Sequence, residues 1–449
     1  HQSLGLADGV TELTPTELIS AILQAPVDLL WNGGIGTYVR STQETDADVG
    51  DKTNDGLRVT GAQLRCRAVG EGGNLGFTQR GRIEYATAGG RINTDFIDNS
   101  AGVDTSDHEV NIKILLADEV RSGRMGLEER NALLESMTDA VAEHVLAHNY
   151  DQNLTLANAE AIAVPAAGTH ERWMQHLTSI GLLDRALEEL PSTEEMADRI
   201  EHGHGLVGPE LATLLSYTKI WLEQELLRTD LPDDPYVSER LTGYFPQPLR
   251  ERFSDRMRTH RLHREIITTV AVNRFVNSSG LTACFRLCGE TGAKVDDVVR
   301  AQLAARAVFR VSDHEQHLTT LDNIVAADVQ TQVRLDLREL VERATRWFLR
   351  HRPAAPDVQA TIDEFVDDVD EIVLNIGKWL GQHAARDMAT RVEKYVAAGV
   401  PAGLARVAGA ALFLPQALSA VQIAHRMSRP VALVTQVTTH LAEVLGLTT

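Results

Sequence analysis

The chain has 449 residues, 43% of them hydrophobic and 24% charged. At about 150 residues per domain that length suggests two to four domains, and the balance excludes wholesale disorder and a multi-span membrane protein. Asp and Glu number 63 against 43 Lys and Arg, and the net charge of -20 disfavours DNA, RNA or anionic lipid as a principal partner. Three cysteines, Cys66, Cys284 and Cys288, are too few for a disulfide framework, so a reducing cytoplasm is the easier reading. Their spacing lacks the two-residue gap of zinc knuckles, and no metal site is expected. The first residues, HQSLGLADGVTELT, have neither a basic n-region nor an apolar h-region, and the opening without Met reads as an internal piece of something longer.

Residues 1 to about 115 carry short apolar runs separated by Gly, Asn, Thr and Asp, which is α/β punctuation. Thr14-Pro15-Thr16-Glu17 predicts a helix start, with Thr14 as N-cap and Glu17 closing a capping box. Val27 to Trp31 predicts a strand that stops at Asn32-Gly33-Gly34-Ile35-Gly36. Leu64 to Val69 predicts a second, stopping at Gly70 to Gly76. A third is expected around Asp95-Phe96-Ile97, stopping at Asp98 to Gly102. In an open parallel sheet, ligands bind beyond the carboxyl ends of the strands, so these small-residue loops outline a binding face.

From about Ser106 onward the periodicity is helical. Leu133, Met137, Val141 and Val145 mark one apolar face, and Trp173, Leu177, Ile180 and Leu187 another. Amphipathic helices are expected at roughly 208–228, 259–277, 294–310, 328–351 and 357–395, with breaks at Asp230 to Pro248 and at His351 to Pro356. Val407 to Ala424 carries no charge, yet Pro415 interrupts it and Gln416, Ser419 and Gln422 make it polar. Two buried helices joined at the proline are expected there, and no membrane anchor.

Several motifs invite chemistry. Asn32 to Gly36 lacks the third glycine of the dinucleotide fingerprint and is followed by a polar stretch, Ser41 to Asp55, that reads as an excursion or lid. A turn after a strand and a diphosphate loop both stay open. Glu71-Gly72-Gly73-Asn74-Leu75-Gly76 also stays open between ligand loop and structural turn; Asn can donate to and accept from an amide at once. Asp104 to Glu109 suggests a triad or metal cluster, but sequence neighbours on a helix cannot all point inward. Ser106 with Glu109 reads instead as a capping box, at a helix start that could face a carboxylate. His202 and His204 read as a turn, and His260 and His263 as a solvated basic face.

The wording of NGGIGTYVR, VGEGGNLGFTQRGRIEYA and DNSAGVDTSDHEVNIKILL resembles the large-type bacterial NAD-specific glutamate dehydrogenases, and VNRFVNSSGLT and FRLCGETGA are similar to that family's C-terminal region. The resemblance implies that the chain is the C-terminal part of such a subunit. The fold expected is α/β followed by all-α: the C-terminal half of a Rossmann-like parallel sheet over 1–115, then a large α-helical domain over 116–449 with a subdomain break near 230–248. The reaction implied is oxidative deamination of L-glutamate to 2-oxoglutarate and ammonia, with hydride passing to NAD in a cytoplasmic homo-oligomer. Asn74, Asn99, Asn32 and Gly33 would line the nicotinamide and ribose, Gly72 and Gly73 would allow close backbone approach, and Ser106 would bind the substrate's side-chain carboxylate. Gly73, Leu75-Gly76 and Asp107-His108 depart from the family pattern. Its catalytic Lys and Asp find no matching position here and are expected upstream of His1. No catalytic residue is therefore assigned, and the isolated chain is expected to be inactive. The helical bulk leaves a second expectation open, an oligomerisation or regulatory module, and a related amino-acid dehydrogenase is a third.

Overall fold

A computed structural model describes residues 4–6, 10–352 and 357–446. His1, upstream of which the catalytic groups are expected, lies outside the described residues. So do residues 353 to 356, the proline-rich part of the second expected break. Helix α1 (Pro15–Leu23) starts as the sequence requires, with the full Thr14/Glu17 capping box and Pro15 in its first turn. Strands β1 (Leu29–Asn32) and β2 (Val39–Arg40) follow, then a short α2 (Asp46–Val49), β3 (Val59–Thr60) and β4 (Ala68–Glu71). The strands pair in parallel, β1 with β4 from Leu29↔Ala68 to Asn32↔Glu71, and β2 with β3. Single parallel bridges add Arg91 beside Ala68 and Phe77 beside Val39. One apolar cluster, including Val39, Val59, Val69, Phe77 and Tyr85, packs these elements with α3 (Gln79–Thr87).

The third expected strand is a helical turn, α4 (Asp95–Asp98). Extended backbone beside β4 comes earlier, at Arg91, whose amide donates to the Arg67 carbonyl and whose carbonyl accepts from Val69. A helical turn at 95–98 puts Asp95 and Asp98 on one side, where each accepts a backbone amide from the second glycine loop: Leu75 N at 2.8 Å and Glu71 N at 3.0 Å. A strand would point these carboxylates to opposite sides. The Ser41 to Asp55 excursion is pinned by Arg58, whose buried guanidinium donates to Asp46 at 2.7 Å, to Asp55 at 2.8 Å and to the Asp51 carbonyl.

Beyond this, the chain is helical: α5 (Ala101–Arg121), α6 (Leu127–Glu135), α7 (Thr138–Ala161), α8 (Ala163–Ser179), α9 (Thr193–Glu201) and α10 (Gly208–Leu227). The expected break at 230–248 is a run of short helical turns, α11 (Pro235–Ser238) and α12 (Leu241–Tyr244), leading into α13 (Gln247–Met257). The remaining helices are α14 (His263–Ser279), α15 (Ala283–Thr291), α16 (Val295–Val308), α17 (Val311–Thr319), α18 (Ala327–His351), α19 (Val358–Trp379), α20 (Gln382–Ala397), α21 (Ala402–Ala410), α22 (Gln416–Met427) and α23 (Val431–Val444). The single helix expected at 357–395 divides into α19 and α20 at Leu380-Gly381, because Leu380 turns extended and Gly381 lies against the Glu443 side chain with no room for a Cβ. Pro415 separates α21 from α22 as its proline ring dictates, and no described helix is long and apolar enough to cross a membrane.

Two compact units result, one of residues 1–221 and 239–270, the other of 222–238 and 271–449. In the first, Trp173 is wholly buried, donates its indole N–H to Thr218 and meets Trp221 edge to face. The core of the second is α16, whose Val298, Val299, Ala301, Ala304, Ala305 and Val308 are inaccessible and pack on α18 and α19. A helix apolar on most of its circumference is a central one. Its one deep charge, Arg300, is held by Asp230, Asp296 and Asp234.

Candidate functional site at two parallel strand ends

Strands β1 and β4 end side by side, because the parallel register sets Asn32 opposite Glu71. The loops that follow are bonded to each other. The Gly73 amide donates to the Asn32 carbonyl at 2.9 Å, the Gly34 amide to Asn32 Oδ1 at 3.3 Å, and Thr37 Oγ1 to the Leu75 carbonyl at 2.8 Å. Asn99, just before α5, donates its side-chain amide to Asn74 Oδ1 at 2.6 Å. Five of the seven expected positions, Asn32, Gly33, Gly73, Asn74 and Asn99, thus belong to or adjoin one bonded loop cluster.

The glycines have packing reasons that no motif announces. The exposed Trp31 indole lies across β4, and a Cβ at Gly70 or Gly72 would sit 2.6 Å from its ring. A Cβ at Gly73 would meet the Gly34 carbonyl at 2.5 Å, and one at Gly76 would overlap the Asn32 amide at 1.7 Å. Leu75 takes a left-handed φ of 59° that brings its amide to Asp95. Beneath the loop, Glu71 and Arg82 form a buried two-pronged ion pair at 2.6 and 2.9 Å, with Asp95 3.3 Å from the same guanidinium. Burial opposes the Arg82 charge, but the Glu71 carboxylate more than restores it and holds the guanidinium above its ordinary pKa. Burial also raises the Asp98 carboxyl, against its bonds to Asn93 and to the Glu71 amide. Sequence reading missed Arg82, Asp95 and Asp98, and only the i,i+3 spacing of the two aspartates offered a signal.

Ser106 is placed differently from its expectation. Helix α5 starts at Ala101, so Ser106 is its sixth residue and caps nothing; Glu109 pairs with Lys113 instead. The ladder already runs at Asp104, whose amide donates to the Ser100 carbonyl, and Ser-x-x-Glu fits a helix interior as readily as a cap. The Ser106 side chain is exposed, and any anion it meets is bound by its hydroxyl and not by free helix-end amides.

The other side of α5 is buried. His108 is inaccessible, stacks on Tyr244 with centroids 4.3 Å apart, and is pushed down to about 4 by burial. Half-buried Lys219 on α10 is likewise lowered, to about 8, by burial against the fields of Asp151 and Asp104. His260 is not on a solvated face: it is buried, its Nε2 is 3.0 Å from the Asn111 carbonyl, and its Nδ1 accepts from the Leu262 amide.

Residues 1–159 match the family model for the bacterial NAD-glutamate dehydrogenase catalytic domain, and residues 203–449 match that for the glutamate dehydrogenase C-terminal region. The chain belongs to the bacterial NAD-glutamate dehydrogenase family. Three relatives named NAD-specific glutamate dehydrogenase bear this out. That of Halomonas elongata is 46% identical over 92% of this chain, that of Pseudomonas aeruginosa 49% over 88%, and that of Mycobacterium tuberculosis 44% over 88%. The aligned part is 26%, 24% and 24% of those proteins, so the chain spans about a quarter of the dehydrogenases it matches. The paired loops at the ends of β1 and β4, with Asn99 and the start of α5, fall inside the segment that matches the dehydrogenase catalytic domain.

Proposed function

We propose that this chain is part of an NAD-dependent glutamate dehydrogenase that converts L-glutamate to 2-oxoglutarate and ammonia. Residues 1–115 supply the C-terminal half of a Rossmann-like nucleotide-binding domain. Residues 116–449 form its helical C-terminal domain, with a break near 230–248. The observation that carries the reading is the Asn74–Asn99 pair at the strand ends. Asn99 donates to Asn74 Oδ1, which leaves the Asn74 amide its N–H donors and the Asn99 carbonyl its lone pairs. A carboxamide needs that complement, and it survives if both amides are turned together. The family match and the parallel strands support the same reading.

When bound, NAD accepts a hydride from the glutamate α-carbon. Asn74 and Asn99 fix the carboxamide, and so the ring face presented to the substrate. Asn32 and Gly33 flank ribose and nicotinamide, and Gly72 and Gly73 leave the backbone near the ring uncovered. Ser106 donates to the side-chain carboxylate of glutamate. The proton-transfer groups that complete iminium hydrolysis are not assigned to this chain; they belong upstream of His1 in the full-length polypeptide. The exposed stripe of Leu433, Val437, Leu441 and Val444 on α23 supports a homo-oligomer, and the free cysteines suit a cytoplasmic enzyme.

The test is Ser106→Ala in the full-length polypeptide. A lost hydrogen bond to a charged group is worth about 1.5–3 kcal/mol, so KM for glutamate should rise roughly 10- to 150-fold while KM for NAD stays within about twofold. Asn74→Ala should do the converse. An unchanged glutamate KM would remove Ser106 from the site, and glutamate-dependent NADH formation by the isolated 449-residue chain would overturn the division of the active site.

A further inference from the structure

The buried side of α5 carries a constellation that the dehydrogenase reading does not use. Asp104 and His108 lie one helical turn apart, and α7 brings His148 against them. One ligand atom from each of the three lies within 4.8 Å of the other two. His148 Nδ1 is 2.8 Å from Asp104 Oδ2, and His108 Nε2 is 3.7 Å from Asp104 Oδ1. His108 is inaccessible, yet neither of its ring nitrogens has a hydrogen-bond partner. Buried polar atoms left so are uncommon, because each forfeits its hydration without return. Stacking on Tyr244 fixes the ring plane, and the His144 and His148 rings lie 5.6 and 5.7 Å away between centroids.

We propose that Asp104, His108 and His148 form a site for a divalent transition metal of the zinc class. Two imidazoles and one carboxylate are the donor set that zinc takes with a water in the fourth position, whereas calcium and magnesium prefer oxygen donors throughout. The ion gives His108 Nε2, one of the two orphaned ring nitrogens, a partner and ties α5 to α7. Asp104 and His108 project from the side of α5 away from the exposed Ser106, about 200° round the helix, so the proposal stands independently of the glutamate contact.

The probes are Zn2+ and Co2+, added to tag-free 449-residue chain stripped with a chelator. Calorimetry should show one equivalent of Zn2+ bound, and Co2+ should give the intense visible band of a low-coordinate nitrogen–oxygen site. The His148 side chain is 44% exposed, so His148→Ala leaves the fold intact, to be checked by circular dichroism. It should weaken Zn2+ binding more than about 100-fold, since losing an outer-shell partner alone costs about 10- to 100-fold. Asp104→Asn should act in the same direction. No stoichiometric uptake, equal uptake by both variants, or a preference for Ca2+ or Mg2+ overturns the proposal; the three side chains are then a carboxylate-bridged histidine pair and nothing more.

Discussion

Replacing Glu71 by Gln isolates what the buried ion pair beneath the glycine loop contributes. The Glu71 side chain is 0% exposed and that of Arg82 is 6%, so the substitution leaves a guanidinium in the interior with half its compensation. Removing one partner of such a pair costs about 3–5 kcal/mol. Asp95 stays 3.3 Å from Arg82, and the glutamine oxygen can still accept, which places the expected cost at the low end, about 3 kcal/mol. Hydrogen exchange in peptides covering β4 and α3 reports opening of this region without reference to the second unit. The most protected amides there should exchange roughly 150-fold faster, at about 1.36 kcal/mol per tenfold. Replacing both partners, Glu71→Met with Arg82→Leu, should cost less, about 1–2 kcal/mol, because no guanidinium is then orphaned and Asp95, which loses Arg82, keeps the Leu75 and Phe96 amides. Exchange within about threefold of the parent in the single variant, or a double variant as labile as the single one, refutes the reasoning.

The two loop glycines should separate by what they touch. Gly72→Ala meets the exposed Trp31 ring, which can swing aside, so it should cost about 1 kcal/mol and shift tryptophan emission to longer wavelength. Gly73→Ala meets the Gly34 carbonyl, which is backbone, and should cost about 2–3 kcal/mol in urea melts. Lys219 should give a pH signature. Between about pH 8 and 10.5 the unfolded chain keeps a proton that the folded chain releases, so stability should rise with pH through that window. Lys219→Met should be more stable than the parent by up to about 3 kcal/mol at pH 7, and the difference should vanish towards pH 10.5; a difference constant with pH excludes the ammonium as its cause.

The sequence by itself determined features that depend on near neighbours. The Thr14/Glu17 capping box, the break at Pro415, and the extents of α10, α16 and α18 follow from local hydrogen bonding, ring geometry and a repeat of about 3.6 residues. The motifs that place the chain in its family are local too, since they are short runs around strand ends. Contacts across long separations were decided by tertiary structure alone. Asp95 and Asp98 turn helical because amides of another loop need their carboxylates. Ser106 is an interior helix residue because the ladder starts at Ala101, and Gly70 and Gly72 are glycines because Trp31 lies over them. His108 could be read only as one of a run of polar neighbours until α7 brought His148 to Asp104 and the fold removed water from its ring. Propensity and periodicity describe a residue's own element, whereas desolvation and ligand geometry depend on whatever else the chain packs against it.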